Sequence, residues 1–416
     1  MAPTPAPPAE RRSRPLLVAF LTVLLDLVGF GIIIPIQPYY AEHFDASPTL
    51  VTLLGASYSF MQFLFAPMWG RLSDRIGRRP VVLSSISMGV AGYVLFGFAQ
   101  SLPMLFAARM LAGFGAANIG AVQSIVADTT SGADRAKGMG LIGAAFGLGF
   151  TIGPALGGAL GQISLEAPAF GAAGLGLLNL FLAFRLLPET RRHGGAPSHA
   201  ARKVFSLRDL AATARIPNGG RLLAIVFLSV TGMALMEQAL GLFIERVYLD
   251  PATHPLGSPA AHTHAAGLTA WVLTAVGITS LVVQGGLIGR LSVRFGERTL
   301  MRAGALIMGV ALALIPVVGA GPFALLVGVG ALLAIGSSVL NPSLTAFLSR
   351  SVSREVQGAT LGLSQSLGAL GRTVGPAASG AIFELGRDLP FAVAAAFLVL
   401  AFAFALGLRP LAEAHD

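Results

Sequence analysis

Twelve apolar runs, each long enough to cross a bilayer, constrain this chain more than any other feature. They fall at about residues 15–40, 50–70, 80–99, 103–124, 138–161 and 167–187, then at 221–246, 266–289, 299–318, 322–345, 357–381 and 389–408. About 20 apolar residues in a helix span the hydrocarbon core. Only 11% of the 416 residues are charged, against about 25% in a soluble protein, so the chain lacks the polar surface to dissolve. The expected fold class is an all-α membrane protein with 12 transmembrane helices, its outer face in contact with the lipid bilayer.

The net charge of +9 admits two explanations, nucleic-acid binding or the bias of Lys and Arg toward cytoplasmic loops. Position decides. With the N-terminus inside, every Lys and Arg except Arg109, Arg246, Arg372 and Arg387 falls on the cytoplasmic side, in a terminus, a loop or the run end beside one. No nucleic-acid partner is expected, and both termini are placed in the cytoplasm. The first run is also too long for a cleaved signal peptide. The absence of cysteine removes disulfides, thiolate metal sites and cysteine catalysis.

The chain repeats itself. Gly70-Arg71-Leu72-Ser73-Asp74-Arg75-Ile76-Gly77-Arg78-Arg79-Pro80-Val81 joins runs two and three, and a similar segment, Gly289–Leu300, follows 219 residues later between runs eight and nine. Gly138 pairs with Gly358 at an offset of 220, and Gly153-Pro154 with Gly375-Pro376 at 222. Three near-equal offsets predict a duplicated transporter of two pseudo-symmetric six-helix bundles, 1–190 and 218–416. Between them, 191–217 is a basic cytoplasmic linker. Within it, Ser206 can cap a short helix with Asp209 three residues on, flanked by Phe205 and Leu210.

Ionisable groups inside membrane helices are costly and are functional candidates by default. Asp26 sits in the first run with nothing in that helix to neutralise it, so it is protonated, paired with a cation or in a wet cavity. Arg109 lies at a depth that permits coupling to Asp26 if the first and fourth helices are neighbours. Asn118 and Gln123 further along bind substrate or join helices. Glu237 and Arg372 either pair in the second half or leave Glu237 as a second proton site. Gln238 and Asn341 complete the polar cavity candidates, and Phe30, Tyr58, Phe60, Phe146 and Phe243 the aromatic ones. Gly149, Gly153, Pro154, Gly157 and Gly158 crowd the fifth run and predict a tight interface or hinge. His254, His262 and His264 fall in an outer loop without visible ligand geometry, so no metal is expected. No Gly-Lys-Ser/Thr loop is present, which excludes a fused ATPase; nothing suggests an enzyme or a cofactor.

These residues resemble the major facilitator superfamily over nearly the whole chain. In that family the turn matched by Gly70, Asp74, Arg75, Gly77, Arg78 and Arg79 is a cytoplasmic latch, whose contacts break and re-form between conformations. The second copy has Val293 in place of the acid. Arg109–Gly113 resembles the helix-four motif linked to proton transfer, and Gly147–Gly158 the helix-five motif of drug:proton antiporters. Leu25–Pro35 and Ala127–Ser131 are similar to tetracycline efflux proteins.

The resemblance implies a monomeric proton-coupled antiporter in the bacterial inner membrane, exporting a drug-like or amphipathic small molecule, tetracycline or several drugs. Proton coupling would fall to Asp26, Arg109 and Glu237. Two departures point away from a metal–tetracycline substrate: Gly92 and Met308 stand where those carriers have acids. The alternatives are a proton-coupled carrier of a sugar or other metabolite, or a membrane sensor that transports nothing.

Overall fold

The computed structural model describes residues 9–118, 151–190, 207–255, 258–319, 321–352 and 354–410, with single positions 121, 122, 125, 126, 145, 148 and 149. Every regular element among them is helical. In chain order these are α1 (Ala9–Ile33), α2 (Gln37–Glu42), α3 (Pro48–Ile76), α4 (Arg78–Gly97), α5 (Leu102–Gly115), α6 (151–161) and α7 (Ala167–Leu186). The rest are α8 (Leu207–Arg215), α9 (Gly219–Tyr248), α10 (Pro259–Val282), α11 (Ile288–Val318), α12 (Phe323–Arg350), α13 (Arg354–Leu385) and α14 (Leu389–Leu406). Eight helical stretches among the described residues are long and apolar enough to cross a membrane. One of these, Pro259–Val318, is broken at Gly296, where φ is +73°.

Helix packing repeats as the sequence does. In the first half α4 lies against α5 and α7, α3 against α5, and α1 against α7. In the second, α11 lies against α12 and α14, α10 against α12, and α9 against α14. The largest contact between halves is α3 on α13. Helix irregularities repeat too. Pro67 interrupts α3, and the π-helical turn Val283–Leu287 interrupts the corresponding helix 219 residues later at Gly286. Both devices free backbone carbonyls and bend a membrane helix. Outward-facing side chains such as Phe181 (56% exposed), Trp271 (68%) and Val399 (59%) are large and apolar, as a lipid-facing surface requires.

Several expected boundaries move: the first run breaks into α1 and α2, and α11 begins at Ile288 rather than 299. The helix expected at 50–70 runs on to Ile76, and the next begins at Arg78, so the charged turn shrinks to Gly77 alone. Helical hydrogen bonding continues through polar residues where the helix leaves the bilayer; hydropathy marks only the apolar part. Likewise α10 starts at Pro259 rather than 266, because Ser258 Oγ accepts from Ala261 N at 3.2 Å and Pro259 takes the first turn. The linker helix α8 is present, whereas its expected cap Ser206 lies outside the described residues. So do Gln123, Phe146 and the Asn118 side chain.

Candidate functional site

Asp26 projects from α1 toward α7, where Asn179, 1% exposed, donates through Nδ2 to Asp26 Oδ1 at 2.8 Å and to Thr22 O at 3.1 Å. A buried amide in an apolar helix must find such partners. Asn179 was not anticipated. The one signal for it was its standing as a lone amide within the sixth apolar run.

Arg109, 4% exposed on α5, is held differently from expectation. Its guanidinium carbon lies 4.5 Å from the Tyr58 ring centre and 5.7 Å from that of Phe30, whose rings are themselves 4.8 Å apart. Nε and Nη1 have no hydrogen-bond partner among the described residues. Cation–π attraction, about 2 kcal/mol for a desolvated pair, therefore carries much of its stabilisation. Tyr58 lies within electrostatic range of Asp26, Arg109 and Arg372, and Tyr93 within range of Asp26 and Arg109. Tyr58 and Tyr93 are thus the groups within electrostatic range of both Asp26 and Arg109.

In the second half Glu237 and Arg372 interact electrostatically. Arg372 is solvent-exposed midway along α13. Glu237 borders a cleft that Met233, Met236, Val272 and Leu333 line, with Ile34 and Pro154 of the first half facing them. Among the described lining residues Glu237 alone is ionisable. The remaining candidates scatter. Gln238 accepts from Gln37 Nε2 at 3.4 Å, across the halves. Asn341 and Phe60 are exposed, and Phe243 is buried against Phe391 at 4.9 Å.

The glycine-rich helix packs as a tight interface. A Cβ on Gly149 would lie 2.5 Å from Leu27 Cβ, and one on Gly153 2.7 Å from Gly31 Cα. Gly157 meets Ile32 on the same face, while Gly158 meets Ala270 of the second half. Pro154 turns toward the cleft. The second half repeats the contact: Cβ atoms on Gly371 and Gly375 would lie 2.8 Å from Thr231 Oγ1 and 2.7 Å from Thr231 O. Such spacing lets backbones approach without side chains between them.

Both turns are single glycines with positive φ, Gly77 at +109° and Gly296 at +73°. At the first, Arg78 Nη1 bridges to Asp74 Oδ1 at 2.5 Å and donates to Ser73 Oγ at 2.8 Å. Glu189 caps α4 by accepting from Arg78 N at 2.9 Å and Arg79 N at 3.2 Å. Arg79 in turn donates to Phe184 O at 2.7 Å, at the end of α7. Arg298, its counterpart 219 residues on, donates to Leu408 O at 2.6 Å, just beyond α14.

The hydrogen bonds that join the halves gather at the opposite end. Tyr39 Oη donates to Gly241 O at 3.0 Å and lies 2.8 Å from Thr269 Oγ1. Thr49 N donates to Glu384 Oε1 at 3.1 Å, and Gly380 N to Thr52 Oγ1 at 3.0 Å. Arg246 pairs with Glu42 at 3.4 Å. Burial, with Glu245 alongside, pushes the Glu42 carboxyl well above the usual carboxylate range. Here one expectation needs correction: His262 leaves the loop for α10, is 0% exposed, and faces Glu245 at 3.7 Å. His264 also lies on α10 but is exposed, and only His254 stays in the loop, their rings 5.0 Å apart.

The family model described as Major Facilitator Superfamily matches residues 19–261 and 248–416. The chain belongs to this superfamily. It is 33% identical over 378 residues to the tetracycline resistance protein, class G, of Vibrio anguillarum, covering 88% of this chain and 90% of that one. It is 28% identical over 407 residues to multidrug resistance protein 1 of Bacillus subtilis (strain 168), covering 98% of each. Among solved structures, the human organic anion transporter MFSD10 (TETRAN) superposes with a TM-score of 0.69 at 27% identity, over 96% of this chain and all of that one. Members of the family are multi-pass membrane transporters of small molecules, which accounts for helices this long surrounding an interior that holds charge.

Proposed function

We propose that this superfamily member is a proton-coupled efflux antiporter of drug-like or amphipathic small molecules, residing as a monomer in the bacterial inner membrane. Its bundles are 1–190 and 218–416, linked by 191–217, and both termini are cytoplasmic. The observation that carries this reading is Asp26: a carboxylate inside a membrane helix, oriented by Asn179, within electrostatic range of Tyr58, whose ring the Arg109 guanidinium faces. Similarity to tetracycline and multidrug resistance proteins supports export as the direction.

With the N-terminus inside, the bonded end faces the periplasm and the two glycine turns face the cytoplasm. Substrate enters from the cytoplasm or inner leaflet into the cleft beside Glu237. The halves rock, the contacts of Asp74 and Arg78 rearrange, and a periplasmic proton reaches Asp26 as substrate leaves. Asn179 suits this role, since its amide stays hydrogen-bonded to Asp26 whether or not the carboxyl holds a proton. The caged Arg109 keeps a fixed positive charge beside the exchange site, and Glu237 offers a second proton site.

The test uses everted vesicles carrying the purified protein under an imposed proton gradient, with cationic dyes and tetracycline as probes. Gradient-driven uptake by the native chain and its loss in Asp26→Asn is the expected result. Uptake that survives Asp26→Asn and disappears in Glu237→Gln moves the coupling site to the second half. Uptake of no drug, with exchange of a sugar or metabolite, replaces the substrate class.

A further inference from the structure

Glu42 at the end of α2, Glu245 on α9 and His262 on α10 converge where the halves meet. One ligand-type atom from each lies within 4.8 Å of the others. The three side chains are 11%, 2% and 0% exposed. Neither ring nitrogen of His262 has a hydrogen-bond partner among the described residues, nor has Glu42 Oε2. A fully buried imidazole with both nitrogens unsatisfied is costly, and its neighbours supply no acceptor nearer than Glu245 at 3.7 Å.

Two carboxyl groups are buried together there, and Arg246 lies 3.4 Å from Glu42 Oε1. An imidazole nitrogen with two carboxylate oxygens suits Zn²⁺-type ions, whereas Mg²⁺ and Ca²⁺ prefer oxygen alone. Three protein ligands leave a fourth position for water.

We propose that Glu42, Glu245 and His262 form a binding site for a divalent transition ion such as Zn²⁺, assembled only when this end of the protein is closed. Glu42 belongs to the first half and the other two ligands to the second. A bound ion therefore joins the halves and favours the closed arrangement by as much as it prefers that arrangement. Inhibition of transport by the ion rests on the antiporter reading; binding does not.

The experiment is therefore a binding measurement on the purified full chain in detergent, with Zn²⁺ as the probe. Zn²⁺ is expected to raise the unfolding temperature, and Mg²⁺ at equal concentration to leave it unchanged. His262→Ala and Glu42→Gln each weaken the response by roughly tenfold or more. A His254→Ala/His264→Ala double variant keeps it, which separates the buried cluster from the surface pair. Glu42→Gln preserves shape, so its elution profile and metal-free unfolding temperature guard against misfolding. An unchanged response in His262→Ala, or its loss in the double variant, overturns the proposal. So does a native chain whose stability follows pH but ignores Zn²⁺, which makes the cluster a proton site. In the vesicle assay, Zn²⁺ on the closed side slows gradient-driven uptake by the native chain and spares uptake by Glu42→Gln.

Discussion

Gly77 and Gly296 hold the same place in the two halves, and their surroundings differ. Around Gly77 the backbone is enclosed: Glu189 caps the next helix, and Asp74 (13% exposed) pairs with Arg78 (6%). Around Gly296 a Cβ would meet no heavy atom within 4 Å among the described residues, and Val293, where Asp74's counterpart would be, is 91% exposed. Its nearby ion pair, Arg350 with Glu297 at 2.8 Å, has its arginine 62% exposed. Duplication preserved the bend in both halves, while the buried charge chemistry is present in one. The helix hairpin needs the glycine; the buried ion pair needs the carboxylate.

The largest expected effect separates the two glycines directly. Gly77→Ala combines a backbone suited to glycine with a collision on Glu189 and should cost about 3 kcal/mol, whereas Gly296→Ala bears backbone strain alone, about 1–2 kcal/mol. Unfolding of both variants in detergent measures this, and equal losses would show that Glu189 contributes nothing to the contrast. Asp74→Asn leaves Arg78 without its carboxylate in a nearly buried place and should cost about 2 kcal/mol. Its transport rate should fall with it, since the latch no longer re-forms; a normal rate in vesicles would confine the pair to stability. Glu189→Gln weakens two charge-assisted bonds to backbone N–H groups, for about 1 kcal/mol by the same unfolding assay. Smallest is Val293→Asp, which restores the acid to the exposed turn and should change stability by less than about 0.5 kcal/mol. A gain well above that would mean the second turn is a latent latch.

Much of this architecture is legible in the residues because a bilayer imposes it. Apolar length marks the spans, and the 219-residue repeat announces two matching turns, which centre on the positive-φ glycines Gly77 and Gly296. Helix ends are less legible, since α3 and α4 continue past the polar boundary to within one residue of each other. Among site residues, Asp26 stands out as an isolated charge, but its partner Asn179 comes from 153 positions away, and no local spacing encodes that register. Arg109 suggested a carboxylate partner because charge is the obvious answer to charge; ring faces from α1 and α3 supply another, visible only once those helices pack. His262 was misplaced for a local reason, the helix start at Ser258–Pro259, and with it went the cluster at the halves' junction.

A one-residue connection has no slack. Two soft torsions join the 29-residue α3 to the 20-residue α4, and both are held in a conformation few residues adopt. The hairpin therefore behaves as a single beam rather than as two rods on a string. Pivoted at the bonded end, a tilt of about 10° carries the tip of a helix about 40 Å long through about 7 Å. In the proposed rocking motion, the amplitude at Asp74 would then be set by lever length, small rearrangements at Tyr39 and Glu42 becoming large ones at the far end.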